Sequence, residues 1–164
     1  KHQQGDGHLQ VFLGSLHGIS SSIPLAWPGV GAEFSLGPRG AMTVTVETEH
    51  EHAVLLDQGA LTIDGEALNQ HELGYLAPGH HQIELSNTTD LPARGLLLGG
   101  QPFEEEFVMW WNFIGRSHEE IEEFRNQWQA SLSGERGPFG NLTHMSPLPA
   151  PEMPGIRLKA RNRR

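Results

Sequence analysis

The sequence predicts an all-β fold: a closed or sandwiched antiparallel sheet of jelly-roll type, followed by one C-terminal α-helix and an extended Pro-rich tail. Three observations carry this. The 164 residues include 20 Gly and 11 Pro, a composition that favours short strands and tight turns over long helices. Roughly eight apolar or alternating stretches recur at close spacing, each bounded by turn residues. Only one segment combines helical periodicity with a start signal.

Taken in order, Leu9 to Leu13 reads as a short strand and Gly14 to Ser22 as a Gly/Ser loop. Pro24, Pro28, Gly29 and Gly31 extend the irregular region, and Pro38-Arg39-Gly40 is a turn. From Ala41 to Glu47, Met42, Val44 and Val46 alternate with Thr43, Thr45 and Glu47, the period of a half-buried strand. His52 to Asp57 and Ala60 to Ile63 are strands flanking Gly59, and Asp64-Gly65 is a hairpin-turn dipeptide. Leu73 to Ala77 runs into a Pro78-Gly79 turn. His80 to Leu85 alternates again, with Ile83 and Leu85 on one face, and Asn87 to Pro92 is a polar loop. Two apolar strands, Gly95 to Leu98 and Phe107 to Phe113, then flank a Gly99-Gly100-Gln101-Pro102 turn.

The helix starts at Ser117, where Ser117 and Glu120 form a capping box. Ile121, Phe124 and Trp128 give it one apolar face, and it ends before Gly134. Glu119, Glu120, Glu122 and Glu123 suit the positive end of the helix dipole and solvation, not an acidic active site. Beyond Gly137, the run of prolines from Pro147 to Pro154 excludes regular helix and central strand. This tail is expected to lie extended, anchored by Leu148, Met153, Ile156 and Leu158. The expected organisation is residues 1–32 as an inter-domain strand and irregular lead-in, 33–133 as the β-sandwich with its helix, and 134–164 as the extended, basic tail.

The chain has no cysteine, which excludes disulfides, thiolate chemistry and cysteine-based zinc sites and favours an intracellular, cytoplasmic setting. No apolar run approaches membrane-spanning length, and no signal-peptide pattern opens the chain. The first residue is Lys1, so a fragment or a processed chain is expected. The formal charge is −9, yet five of the eleven basic residues are Arg157, Lys159, Arg161, Arg163 and Arg164. The remainder is strongly acidic, which argues against a nucleic-acid-binding face. The basic end reads as a solvated tail, with a contact strip for an acidic protein partner as the alternative.

Several segments, in this order, resemble the pirin family of double cupins. Gly7 to Gly18 is similar to the strand and loop that lead from the first cupin into the second. Val54 to Gly65 resembles a cupin hairpin, and Tyr75-Leu76-Ala77-Pro78-Gly79 the next cupin turn. The most specific stretch is Leu97-Leu98-Gly99-Gly100-Gln101-Pro102 through Trp110, Asn112 and Phe113 into the Glu-rich helix. The Pro-rich end with Ile156-Arg157-Leu158-Lys159 is similar to the tails of actinobacterial members. The resemblance covers nearly the whole chain and implies a cupin-like sandwich corresponding to the family's C-terminal cupin.

Pirin-family proteins hold a single metal, usually iron, in the first cupin through three histidines and a glutamate. Some bacterial members are quercetin 2,3-dioxygenases, and animal members are transcriptional co-regulators. The resemblance therefore implies a non-metal structural and interaction domain that supports a metal-bearing N-terminal cupin of the same parent. The alternatives are part of a metal-dependent quercetin 2,3-dioxygenase-type oxidoreductase, or a co-regulator surface. No catalytic, cofactor-binding or metal-ligating residue carries over to this chain; iron or another divalent metal is expected in the first cupin.

The general cupin pattern sharpens this. Counted back from Gly59, its His-x-His falls near Thr45 to Thr48 and its glutamate on His52; after Gly79 the third residue is Gln82. A register-free reading remains open, in which His50, His52 and His81 share inward faces and three imidazoles converge on zinc, iron, copper or nickel. The plainer reading leaves His50 and His52 solvated at a polar strand end among Glu47, Glu49 and Glu51, with His80 and His81 at a surface turn. Asn87-Thr88-Thr89 and Asn141-Leu142-Thr143 fit the glycosylation pattern without a secretory context. Ser20, Ser21, Ser22 and His17 make a flexible loop, not a nucleophile site. Trp110 and Trp111, read as strand neighbours, point to opposite faces, one into the core and the other under the helix near Trp128 or against another domain.

Overall fold

The structure is a computed structural model that describes residues 2–4, 7–134, 137–140 and 146–160, the first three by their backbone. The chain forms two compact units, Lys1–Pro102 and Phe103–Arg164.

The first unit is all β. Its strands are β1 (His2–Gln4), β2 (Gly7–Leu13), β3 (Ser15–Leu16), β4 (Ile19–Ser20), β5 (Gly29–Leu36), β6 (Ala41–Thr45), β7 (Glu51–Gln58), β8 (Leu61–Ile63), β9 (Glu66–Leu68), β10 (Leu73–Leu76), β11 (Gln82–Ser86) and β12 (Ala93–Gly100). They build a six-stranded sheet in the order β1-β2-β5-β12-β7-β10 and a four-stranded sheet in the order β6-β11-β8-β9, with β3 and β4 as a small separate hairpin. This is the antiparallel sandwich expected from the short alternating stretches.

The core follows from strand alternation. Register aligns Leu9, Phe34, Gly95 and Leu56 across four strands of the larger sheet, then Val11, Ala32, Leu97 and Val54 in the next inward row. Facing them, the smaller sheet contributes Met42, Val44, Leu61, Ile63, Ile83 and Leu85, all buried. Gly95 is a packing necessity. A Cβ there would come within 2.6 Å of the Phe34 ring and 2.5 Å of the Leu55 carbonyl oxygen.

Two turns show how local chemistry sets this topology. Asp64 (φ 48°) and Gly65 (φ 87°) join β8 to β9 in a left-handed two-residue turn, and Asp64 Oδ1 accepts from the Glu84 amide at 2.8 Å. His17 and Gly18 join β3 to β4 in the same conformation, so part of the segment expected as a Gly/Ser loop is a hairpin. The His17 ring has a structural job there, since its Nδ1 accepts from the Thr45 amide at 3.0 Å.

The largest departure from expectation is β5. Residues around Gly29 and Gly31 were expected to be irregular, yet Gly29–Leu36 is a full strand between β2 and β12. Gly31 is required because the Phe12 ring lies over it, 2.6 Å from where a Cβ would stand. Asn87 is also more than a loop residue. It is buried, and its Nδ2 donates to the Gly37 and Leu91 carbonyls at 2.9 and 2.7 Å. That nitrogen is spoken for by the fold and is out of reach of a glycan; the Asn141-Leu142-Thr143 sequon lies outside the described residues.

The second unit holds β13 (Val108–Trp110), β14 (Phe113–Gly115) and α1 (His118–Leu132). The strand expected over Phe107 to Phe113 is instead a hairpin, because Trp111 takes φ 49° and reverses the chain. Trp111 lies 6.4 Å from Trp128 between ring centroids, and Trp110 stacks on Phe113 at the same separation. Both indoles therefore pack, one of them beside the helix.

The helix begins as expected. Ser117 Oγ accepts from the Glu120 amide at 3.2 Å, a contact typically worth about 1 kcal/mol. Glu120 Oε2 accepts from the Arg116 amide at 2.7 Å, closing the box one residue earlier than the standard pattern. Ile121 is buried with Val108, Phe113 and Ala150, and Phe124 and Trp128 pack around them.

The tail is tied down mainly through its backbone. Trp128 Nε1 donates to the Leu148 carbonyl at 2.9 Å, Arg125 Nε to the Pro151 carbonyl at 2.7 Å, and the Ala150 amide to Gln129 Oε1 at 2.8 Å. Met153 and Leu158 pack as expected, whereas the Leu148 and Ile156 side chains are exposed. Arg157 pairs with Glu119 in the acidic first turn of α1 at 2.6 Å. Arg161, Arg163 and Arg164 lie outside the described residues.

Candidate functional site

One end of the sandwich gathers the unusual chemistry. β2 and β12 end there, β5 and β7 begin there, and the segment after β6 crosses to β7. Alternation along β7 turns His52 inward with Val54 and Leu56. Its cross-strand neighbours are Leu76 on β10 and Gly99 on β12. Gly99 makes room for the imidazole, since a Cβ there would lie 2.7 Å from His52 Cδ2.

His52 is 2% exposed. Neither Nδ1 nor Nε2 has a hydrogen-bond partner. Burial, aided by the nearby His50 and His80, pushes its pKa down to about 4, so the ring is neutral at physiological pH. This corrects the expectation that His52 sits solvated among glutamates: β7 begins at Glu51, early enough to carry His52 into the core.

Among the described residues, His50, His80 and His81 do not join it in a ligand set. His50 is half-buried just before β7, with its ring centroid 6.1 Å from that of His52. His80 approaches Asp64 at 3.7 Å. His81 is exposed, because β11 starts only at Gln82 and the bend before it breaks the alternation that would have turned His81 inward. Its carbonyl accepts from the Val46 amide at 3.0 Å.

Of residues 45–48, where the cupin pattern places its His-x-His, Val46 is buried in the hydrophobic core while Thr45 and Glu47 are exposed; Gln82 is exposed, and His52 is the buried histidine among the described residues. Among the described residues, no group of three His, Cys, Asp or Glu side chains is arranged to hold a metal ion. The donor set does not fit iron or zinc, which take three or more nitrogen, oxygen or sulfur donors from the protein.

Next to His50 lies an open cleft of about 350 Å³, walled by Leu25, Ala26, Trp27 and Pro28 and edged by Glu47 and His50. Periodicity gives no sign of this cleft, because Trp27 sits in a Pro-rich stretch. An aromatic residue isolated in such a stretch was the available signal. Trp27 Nε1 donates to the Gln101 carbonyl at 2.8 Å, which fixes the indole against the end of β12.

The fold and the register of its turns define the class as a cupin. Residues 31–133 match the family described as the Pirin C-terminal cupin domain. The chain belongs to the pirin family. It is 34% identical over 119 residues to the "Putative quercetin 2,3-dioxygenase" of Pseudomonas aeruginosa, a match covering 73% of this chain and 37% of that protein. It is 27% identical over 154 residues to a pirin-like protein of Caulobacter vibrioides, covering 92% of this chain and 49% of that one. The crystal structure of a quercetin 2,3-dioxygenase from Acinetobacter baumannii superposes with a TM-score of 0.82 at 24% identity, covering 97% of this chain and 52% of the other. At that identity the likeness is one of fold. The chain spans about half or less of the length of these curated relatives. Among the described residues, no helix is long and apolar enough to cross a membrane.

Proposed function

We propose that this domain is the non-metal half of a two-cupin protein, supporting and helping to wall a metal-bearing N-terminal cupin of the same parent. The parent's reaction class would be that of a quercetin 2,3-dioxygenase, in keeping with the names of its relatives. On its cysteine-free composition the protein would work in the cytoplasm.

The observation that carries this reading is that the cupin ligand positions present no donor set among the described residues, Thr45, Glu47 and Gln82 being exposed. Val46 completes the hydrophobic interior, and His52 is a single neutral imidazole inside it. A second observation supports the interaction role. The outer face of the larger sheet carries two apolar rows, Leu73–Leu55–Leu96 and Tyr75–Ala53–Leu98, aligned across β10, β7 and β12. Leu73 and Tyr75 are exposed, and the other four are only half-buried. Such a face suits packing against a second sheet.

Metal analysis of the purified chain, expressed with iron and zinc supplied, tests the metal-free assignment. The expected content is well below one equivalent. About one equivalent of tightly held metal, lost in His52→Ala, would overturn it.

A further inference from the structure

We propose that the outer face of the β13–β14 ribbon is a docking surface for a basic amphipathic segment of another protein. On one face of the ribbon Val108 pairs with Gly115 and Trp110 with Phe113, and Val108 and Phe113 are buried beside Ile121 of α1. Gly115 lies so close to the helix that a Cβ there would stand 3.1 Å from the Glu120 Cβ. Alternation therefore turns Met109 and Ile114, direct partners in the ladder, the other way. They are 64% and 59% exposed, and Phe107, one residue before β13, is 45% exposed. An apolar patch of this kind marks a contact surface, and its flexible thioether can adapt to the apolar side of a partner helix.

The sign of the partner's charge follows from the residues that flank the ribbon in sequence. Glu104, Glu105 and Glu106 lead into β13, and Glu119, Glu122 and Glu123 follow in α1. Arg116 is the one Lys or Arg from residue 103 to residue 124. Glu105 already holds it at 3.0 Å. Glu104 and Glu106 are exposed and make no ion pair among the described residues. A second copy of this chain would set carboxylates against carboxylates, and an anionic lipid surface would be repelled in the same way. A segment with Lys or Arg beside its apolar stripe gains attraction from the glutamates while the stripe covers Met109 and Ile114.

Fluorescence anisotropy of a labelled Leu/Lys amphipathic helical peptide of about 18 residues, titrated with the whole chain, tests this, with a Leu/Glu peptide of the same pattern as control. The Lys peptide is expected to bind with a Kd of about 1–50 μM at low salt and to weaken by about threefold or more in about 0.5 M NaCl. The Glu peptide is expected to bind at least about tenfold more weakly. The double variants Met109→Gln/Ile114→Gln and Glu104→Gln/Glu106→Gln, each first shown to be folded by thermal unfolding, are expected to weaken the Lys peptide by about fivefold or more and about threefold or more respectively. Leu73→Gln, on the apolar face of the first unit, is expected to leave its affinity within about twofold. No binding of the Lys peptide up to about 0.5 mM, equal binding of the Glu peptide, or undiminished binding in both double variants would overturn the proposal. Loss of binding in Leu73→Gln would overturn it too, because the larger sheet would then be the site.

Discussion

Acidification from about pH 7 to about pH 4 is expected to cost the first unit on the order of 3 kcal/mol of stability through His52 alone. The folded protein keeps this imidazole neutral down to about pH 4, because burial without a hydrogen-bond partner penalises the cation. The unfolded chain takes up the same proton near the ordinary histidine value of about 6.5. Between these two values the unfolded state binds more protons, so stability falls as pH falls, and the fall through this site levels off below about pH 4. Denaturant unfolding across this range should show that slope in the parent chain and lose it in His52→Leu. Leucine should also be the more stable form at neutral pH by about 1–3 kcal/mol, since it removes two buried nitrogens that bond to nothing. Parallel pH profiles for the two proteins would refute this account of His52.

Phe34→Ala is expected to remove about 3–5 kcal/mol, enough to leave the first unit close to unfolding. Phe34 is fully buried at the centre of the larger sheet, in register with Leu9 and Gly95. The glycine is the counterpart of the ring. Gly95→Ala would drive a methyl into Phe34 and also into the backbone oxygen of Leu55. Because backbone cannot step aside as a side chain can, Phe34→Ala should not rescue Gly95→Ala. Urea midpoints of the two single variants and the double variant measure this, and a double variant more stable than Phe34→Ala would contradict it.

These two sites show which parts of the structure were legible beforehand. Where one face is buried and the other solvated, alternation speaks plainly: Met42, Val44 and Val46 are all buried, as are Ile83 and Leu85. The cap at Ser117 and the Asp64-Gly65 turn were equally readable, since each rests on local backbone chemistry. β5 was hidden because two of its first three residues are glycines, and Gly31 is demanded by the Phe12 ring on the neighbouring strand, a contact that no local window contains. Ala32, Phe34 and Leu36 alternating with Glu33 and Ser35 was the signal that could have revealed it.

The candidate site was legible only in part. Counting the cupin pattern places its glutamate position on His52, and the structure finds that residue inside the core. Whether His50 and His81 followed it inward depended on where β7 and β11 begin, and strand ends are set by turns and bends rather than by periodicity. The same limit applies to the Phe107 to Phe113 segment, where the positive φ of Trp111 divides one apolar run into a hairpin. The packing of the hairpin and helix fixes that conformation, and an adjacent Trp pair gives no local sign of it.

The proposed metal-free role requires His52 to be a neutral, unligated imidazole inside the first unit. Nitrogen-15 NMR of His52, followed from about pH 7 to about pH 3.5 with and without one equivalent of ferrous iron or zinc, addresses this directly. The result predicted is a neutral ring that begins to protonate only near pH 4 and whose signals the metals leave unchanged. Protonation near pH 6.5, or a stoichiometric metal-induced shift at either ring nitrogen, would contradict it.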